Sequence, residues 1–126
     1  MSPQPEMRES SVELRIVGTN IDLTEVLHSH VERRLHFALS RFGDRIGRVT
    51  VRLVSVNGPD GRDDTICLID LKLRPAGRIL VRDANRDRHA AIDCAADRAG
   101  RAVSREFELD RAFDGHAAKP LRNRTR

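Results

Sequence analysis

The stretch RVTVRLVSVNGPDGRDDTICLIDLKL, residues 48–73, decides the fold. In its first part Val49, Val51 and Leu53 alternate with Thr50 and Arg52, the period-two pattern of a strand with one face buried. TICLIDLKL (65–73) places Cys67, Ile69, Leu71 and Leu73 on one side in the same way. Between them NGPDGRDD (57–64) combines Asn-Gly, Pro-Asp and a second glycine, so the chain turns back and the two strands pair antiparallel.

Downstream, RPAGR (74–78) is short enough for another hairpin, into RILVRD (78–83), where Ile79 and Val81 face the core. Asp87 then stands at the N-cap of a helix beginning RHAAIDCAADRAGR (88–101), whose buried side holds Ile92, Ala95, Ala96, Ala99, Val103 and Phe107. Upstream, VELRIV (12–17) alternates Val12, Leu14 and Ile16 against Glu13 and Arg15, giving a strand closed by Gly18 and Asn20. Asp22 or Thr24 caps a helix that runs to about Phe42, with Leu27, Val31, Leu35, Ala38 and Phe42 as its buried stripe and Gly43 as its stop.

The order βαβββα, without internal repeat, predicts an α+β fold. It is a two-layer domain, a four-stranded mixed sheet with two helices on one face. The crossover makes the first two strands parallel if they are neighbours, and the short turns make the later pairs antiparallel. Residues 12–111 are expected to form this domain, 1–11 a disordered N-terminus, and 112–126 a basic flexible tail with Lys119, Arg122, Arg124 and Arg126 against the single acid Asp114.

Composition narrows the function. A chain of 126 residues with a net charge of +4 suits one globular domain and an acidic partner. Of the 23 basic residues only Lys72 and Lys119 are lysine, which suits bidentate phosphate recognition, although genome-wide composition bias explains the same excess. Cys67 and Cys94 lack metal-binding spacing and read as free thiols of a reducing cytosol. No signal peptide or membrane-length apolar run is present, so a soluble cytoplasmic protein without a membrane partner is expected.

Nothing points to catalysis, a metal or a cofactor. His28 and His30 project about 200° apart around a helix and read as surface histidines. Asp97 precedes Arg101 by four positions, the spacing of an ordinary helix-surface pair. Cys94 has no neighbouring histidine to activate it.

Arg98, Arg101 and Arg105 form a stripe on the second helix, with Cys94 and Asp97 among them. Arg33, Arg34 and Arg41 flank His30 and Phe37 on the first. If the helices lie side by side, the two sets join into a basic surface suited to structured RNA. From the residues alone a solvated charged face accounts for the same pattern, and does so more often. The open sheet face carries Arg15, Arg52, Lys72 and Arg82 beside Val54, Ile66, Leu68 and Leu80. Self-association there, as a weak homodimer, is the alternative function.

The βαβββα order, together with AAID (90–93), the Asp97-Arg98 pair and Arg101, resembles the bacterial ribosome hibernation promoting factors and ribosome-associated inhibitors, also called protein Y or sigma modulation proteins, in their short form. Leu23, Thr24, Glu25 and Leu27 match the start of that family's first helix, and Val31, Arg34 and Leu35 its middle; the resemblance covers about residues 12–106. It implies a non-enzymatic factor that binds the small ribosomal subunit and its rRNA in the channel for mRNA and A- and P-site tRNA. Such a factor inhibits translation under stress or in stationary phase. The family's rRNA-contacting helix positions map onto Arg34, Arg98, Arg101 and Arg105. With the first-helix flank, the expected rRNA-binding set is Arg33, Arg34, Arg41, Arg98, Arg101 and Arg105. The chain departs from the family at His89, where tyrosine is usual, at Phe37, and in the acidic run REFELDR (105–111). No extra C-terminal domain like that of long forms is expected, so any pairing of ribosomes is expected to be indirect. Binding of another structured RNA is a further alternative.

Overall fold

The structure is a computed structural model that describes residues 13–58 and 61–114, with side chains to Leu109. Strand β1 (Glu13–Thr19) leads into helix α1 (Glu25–Leu39) and a 3-10 turn (Ser40–Arg45). Strands β2 (Ile46–Asn57), β3 (Asp63–Leu73) and β4 (Arg78–Asn85) follow, then helix α2 (Arg88–Asp114). The sheet order is β1-β2-β3-β4, with β1 and β2 parallel and the later pairs antiparallel. This is the expected two-layer α+β fold.

Register turns the sequence alternation into a core. Leu14, Val49, Leu71 and Ile79 form one row across the sheet, and Ile16, Val51, Ile69 and Val81 the next. Leu27, Val31 and Leu35 of α1, and Ile92, Ala96, Ala99 and Val103 of α2, pack against these rows. Each buried Leu, Ile or Val contributes about 1.5–3 kcal/mol through removal of apolar surface from water. The next inner row ends on an acid: Cys67 pairs with Asp83, whose carboxylate meets Arg98 Nε at 3.3 Å. Burial first, and the Asp83 charge second, push the Cys67 thiol up to about 12.

Thr24 is the α1 cap, its Oγ1 accepting from Leu27 N at 3.1 Å. Asp87 caps α2, its Oδ1 accepting from His89 N at 2.9 Å and Ala90 N at 3.3 Å. Helix α1 stops at Leu39 rather than Phe42. Gly43 at φ 59°, ψ −137° breaks the following turn, so Phe42 leaves the helical stripe and meets Phe107 edge to face at 5.6 Å. Helix α2 continues to Asp114, into the segment expected as tail; residues 1–12 and 115–126, with Val12 and the rest of both termini, lie outside the described residues.

On the open face Asp70 accepts from Arg78 Nε at 3.0 Å and Nη2 at 2.8 Å, which holds its carboxyl below the usual carboxylate range. Arg48 pairs with Glu13 at 3.3 Å. Arg15, Arg52, Lys72 and Arg82 make no ion pair with a described residue.

Candidate nucleic-acid interface

The two helices approach closely because one contact point is small. A Cβ added at Gly100 would lie 3.2 Å from the Ala38 carbonyl oxygen. That spacing lets side chains of α1 reach carboxylates of α2, and it divides the expected arginines into three groups.

Arg34 is engaged inside the fold. Its Nη2 donates to Asp97 Oδ1 at 3.0 Å, and its Nε lies 3.1 Å from Asp93 Oδ1. The Nε is buried and out of line for a hydrogen bond, so its tie to Asp93 is attraction of charge rather than a directed bond. His30 Nε2 approaches the same Asp93 oxygen at 2.7 Å, and its other ring nitrogen faces Arg33 Nη2 at 3.4 Å. These partners assign the tautomer: Nε2 carries the proton and Nδ1 accepts. The His30 ring packs edge-on to His89, centroids 4.5 Å apart. His89 thus fills the position before Ala90-Ala91-Ile92-Asp93 as an aromatic spacer between the helices.

Two sequence expectations change here. Asp97 pairs across to Arg34 and not along α2 to Arg101, because the interhelical pair is better shielded than an exposed i,i+4 pair. His30 is not a surface histidine; its side chain is 14 % exposed and clasps the helices together.

Arg98 is tethered, its Nε 3.3 Å from Asp83 on β4, while its side chain remains 57 % exposed. Arg101 and Arg105 are exposed on α2 and pair with no described residue. On α1, Arg33 is exposed and, among the described residues, meets the His30 ring nitrogen, and Arg41, in the turn beyond it, lies over Phe42 at 4.7 Å. Phe37 projects with 73 % of its surface exposed, the Arg34 guanidinium 5.7 Å from its ring centroid. Arg34 bridges Asp93 and Asp97 and offsets one of their two charges; on this side Arg33, Arg41, Arg101 and Arg105 have no carboxylate partner among the described residues.

Sequence reasoning missed three participants. Asp83 faces inward at the edge of the core, although its place in RILVRD gave no sign of Arg98. Gly100 sets the helix spacing; its signal was the run of small residues Ala95, Ala96, Ala99 and Gly100. Arg45 stacks on Phe107 at 3.8 Å, a contact created by the kink at Gly43.

Fold and face together define a small two-layer α+β domain that presents arginines from a clasped pair of helices. The chain belongs to the family described as Sigma 54 modulation protein / S30EA ribosomal protein, whose model matches residues 14–111. This is the ribosome-associated family that AAID and the Asp97-Arg98 pair suggested. A ribosomal subunit interface protein from Coxiella burnetii has the same fold, with TM-score 0.63 and 18 % identity over 76 % of this chain and 98 % of that one. The N-terminal domain of Thermus thermophilus Protein Y is similar at 26 % identity and TM-score 0.57, covering 72 % of this chain and 93 % of that one. No curated protein matches the chain. Among the described residues no helix is long and apolar enough to cross a membrane.

Proposed function

We propose that this protein is a cytoplasmic ribosome hibernation factor: it binds the small ribosomal subunit through the outer side of its helix pair and inhibits translation under stress or in stationary phase. The observation that carries this reading is the pair Arg101 and Arg105, exposed on α2 without a carboxylate partner among the described residues, in a chain of the S30EA family. Arg33 and Arg41 extend the basic surface on the α1 side, and Phe37 adds an exposed ring. Arginine forks neutralise rRNA phosphates and release their counterions, while base identity is not read. Inhibition is then competition for space, as a folded domain seated in the mRNA and tRNA channel excludes both. Arg34 supports the surface by holding Asp93 and Asp97, and Arg98 contributes from a tethered position.

Sedimentation of a stationary-phase lysate through a sucrose gradient at low salt tests the reading. The protein is expected in the subunit or ribosome fractions, and to leave them as salt is raised. Its retention at the top of the gradient at low salt would overturn the proposal. Self-association through the open sheet face is the weaker reading, because that face carries four cations without an ion pair to any described residue, Arg15, Arg52, Lys72 and Arg82.

A further inference from the structure

The turn after α1 brings two guanidiniums to one groove. Gly43 adopts a conformation that residues with a Cβ avoid, and the chain changes direction between Phe42 and Asp44. Arg41 then lies over the Phe42 ring at 4.7 Å and Arg45 over the Phe107 ring at 3.8 Å. With Ser104 and Glu108 these side chains line an open groove of about 230 Å³. The turn is pinned to the start of the β3–β4 hairpin at two carbonyls. Arg45 O accepts from Arg74 N at 2.8 Å, and Asp44 O accepts from Arg74 Nη1 at 3.1 Å.

Stacking occupies the flat face of a guanidinium and leaves its in-plane N–H donors available. Neither Arg41 nor Arg45 pairs with a described carboxylate, Glu108 in the same lining included. Both side chains are ordered in advance by the rings beneath them, so binding sacrifices less of their rotamer freedom than it would for free surface arginines.

We propose that Arg41 and Arg45 form a clamp for a phosphodiester of structured RNA, with the Ser104 hydroxyl as a third donor. The clamp rests on the functional reading above and adds to it a site that includes Arg45. Two planar forks match the bidentate geometry of phosphate oxygens. Ser104 lies between Arg101 and Arg105 in α2, so a strand held in the groove continues onto the exposed arginines of the same helix. That continuity, with two arginines against the single acid Glu108 in the lining, favours RNA over an acidic protein segment.

The test is binding of the full chain to purified small subunits across a series of KCl concentrations. Wild type is compared with the double variants Arg41→Gln/Arg45→Gln and Arg41→Lys/Arg45→Lys, each checked for unchanged thermal unfolding. Each phosphate neutralised contributes about 0.7–0.9 to the slope of log affinity against log salt. The glutamine variant is therefore expected to lose about 1–2 in slope, and to bind roughly tenfold or more weakly near 0.1 M salt. The lysine variant keeps the charge and is expected to regain the slope. A glutamine variant with the wild-type slope and affinity would overturn the clamp and leave the functional reading standing. Failure of wild type itself to bind subunits would overturn both.

Discussion

His30 Nε2 lies 2.7 Å from Asp93 Oδ1, and that same oxygen faces Arg34 Nε at 3.1 Å. One α2 carboxylate therefore serves two α1 side chains, which explains physically why an acid closes the AAID stretch at the helix–helix seam. Replacing Asp93 by Ala leaves the mostly buried imidazole donor and the buried Arg34 Nε without their partner. Hydrogen bonds to a charged group contribute about 1.5–3 kcal/mol when shielded. Because the Asp93 side chain is 42 % exposed, a loss nearer 1–2 kcal/mol is expected in urea unfolding. Asp93→Asn keeps an acceptor and is expected to recover part of it. An alanine variant as stable as wild type would show that the clasp contributes nothing.

The two thiols are expected to behave oppositely. Cys94 is exposed, whereas Cys67 is buried beneath the helices with its thiol pushed up to about 12. A thiol reagent is expected to modify one cysteine in the native protein and two in denaturant. An unfolded cysteine ionises near about 8.5, so above that pH the unfolded chain loses a proton that the folded chain keeps. Stability contributed by this site is therefore present below about pH 8.5 and declines as pH rises toward 12. Unfolding measured at neutral and alkaline pH should show a smaller decline for Cys67→Ala than for wild type.

Gly100→Ala sets two effects against each other. Alanine gains about 1 kcal/mol of helix propensity over glycine. Its Cβ, however, would sit 3.2 Å from the Ala38 carbonyl oxygen, a backbone atom in the last turn of a packed helix. Overpacking of this kind costs about 1–3 kcal/mol, so the melting temperature is expected to fall. A rise would mean that α1 shifts freely, and that the clasp tolerates a wider helix spacing.

These cases separate what the sequence discloses from what it conceals. The strands were legible because inward residues such as Val49, Val51, Ile69 and Leu71 alternate without interruption, and the capping of α2 followed from Asp87 alone. The end of α1 was not legible, since Phe42 continues the four-residue step from Ala38 while the backbone has already tightened into a 3-10 turn. On the site, local spacing placed Arg33, Arg41, Arg98, Arg101 and Arg105 at exposed positions but also counted Arg34, which the fold holds between two carboxylates. It failed on partners, because the choice of Arg34 over Arg101 by Asp97 depends on a helix separation fixed elsewhere, at Ala38 and Gly100. Arg45 was hidden for a similar reason: its ring partner Phe107 lies sixty-two positions away in sequence.

The open sheet face yields a prediction about oligomeric state. Val54, Ile66 and Leu68 are half-buried there, among Arg15, Arg52, Lys72 and Arg82. Placing two copies face to face opposes like charges within about one Debye length. Sedimentation equilibrium of the free protein at low salt is expected to show a monomer. A dimer that forms readily at low salt would mean that the apolar positions outweigh this repulsion.

Arg34 and Arg101 provide the sharpest contrast, because both belong to the expected rRNA-binding set yet their surroundings differ. Arg34 is 27 % exposed and held by two carboxylates, so Arg34→Ala is expected to lower stability by about 1 kcal/mol through loss of the clasp. Its charge is already engaged with Asp93 and Asp97. Removing it disturbs the surface on which other residues meet RNA, but subtracts no phosphate contact, and the salt slope of subunit binding is expected to remain. Arg101 is exposed and pairs with no described residue, so Arg101→Ala is expected to leave stability within about 0.5 kcal/mol. It is also expected to reduce the salt slope by about 1. Unfolding curves and salt-dependent binding measured on both variants resolve the two roles. If Arg34→Ala reduces the slope as much as Arg101→Ala does, Arg34 turns from its carboxylates to a phosphate in the bound state, and the clasp is a feature of the free protein alone.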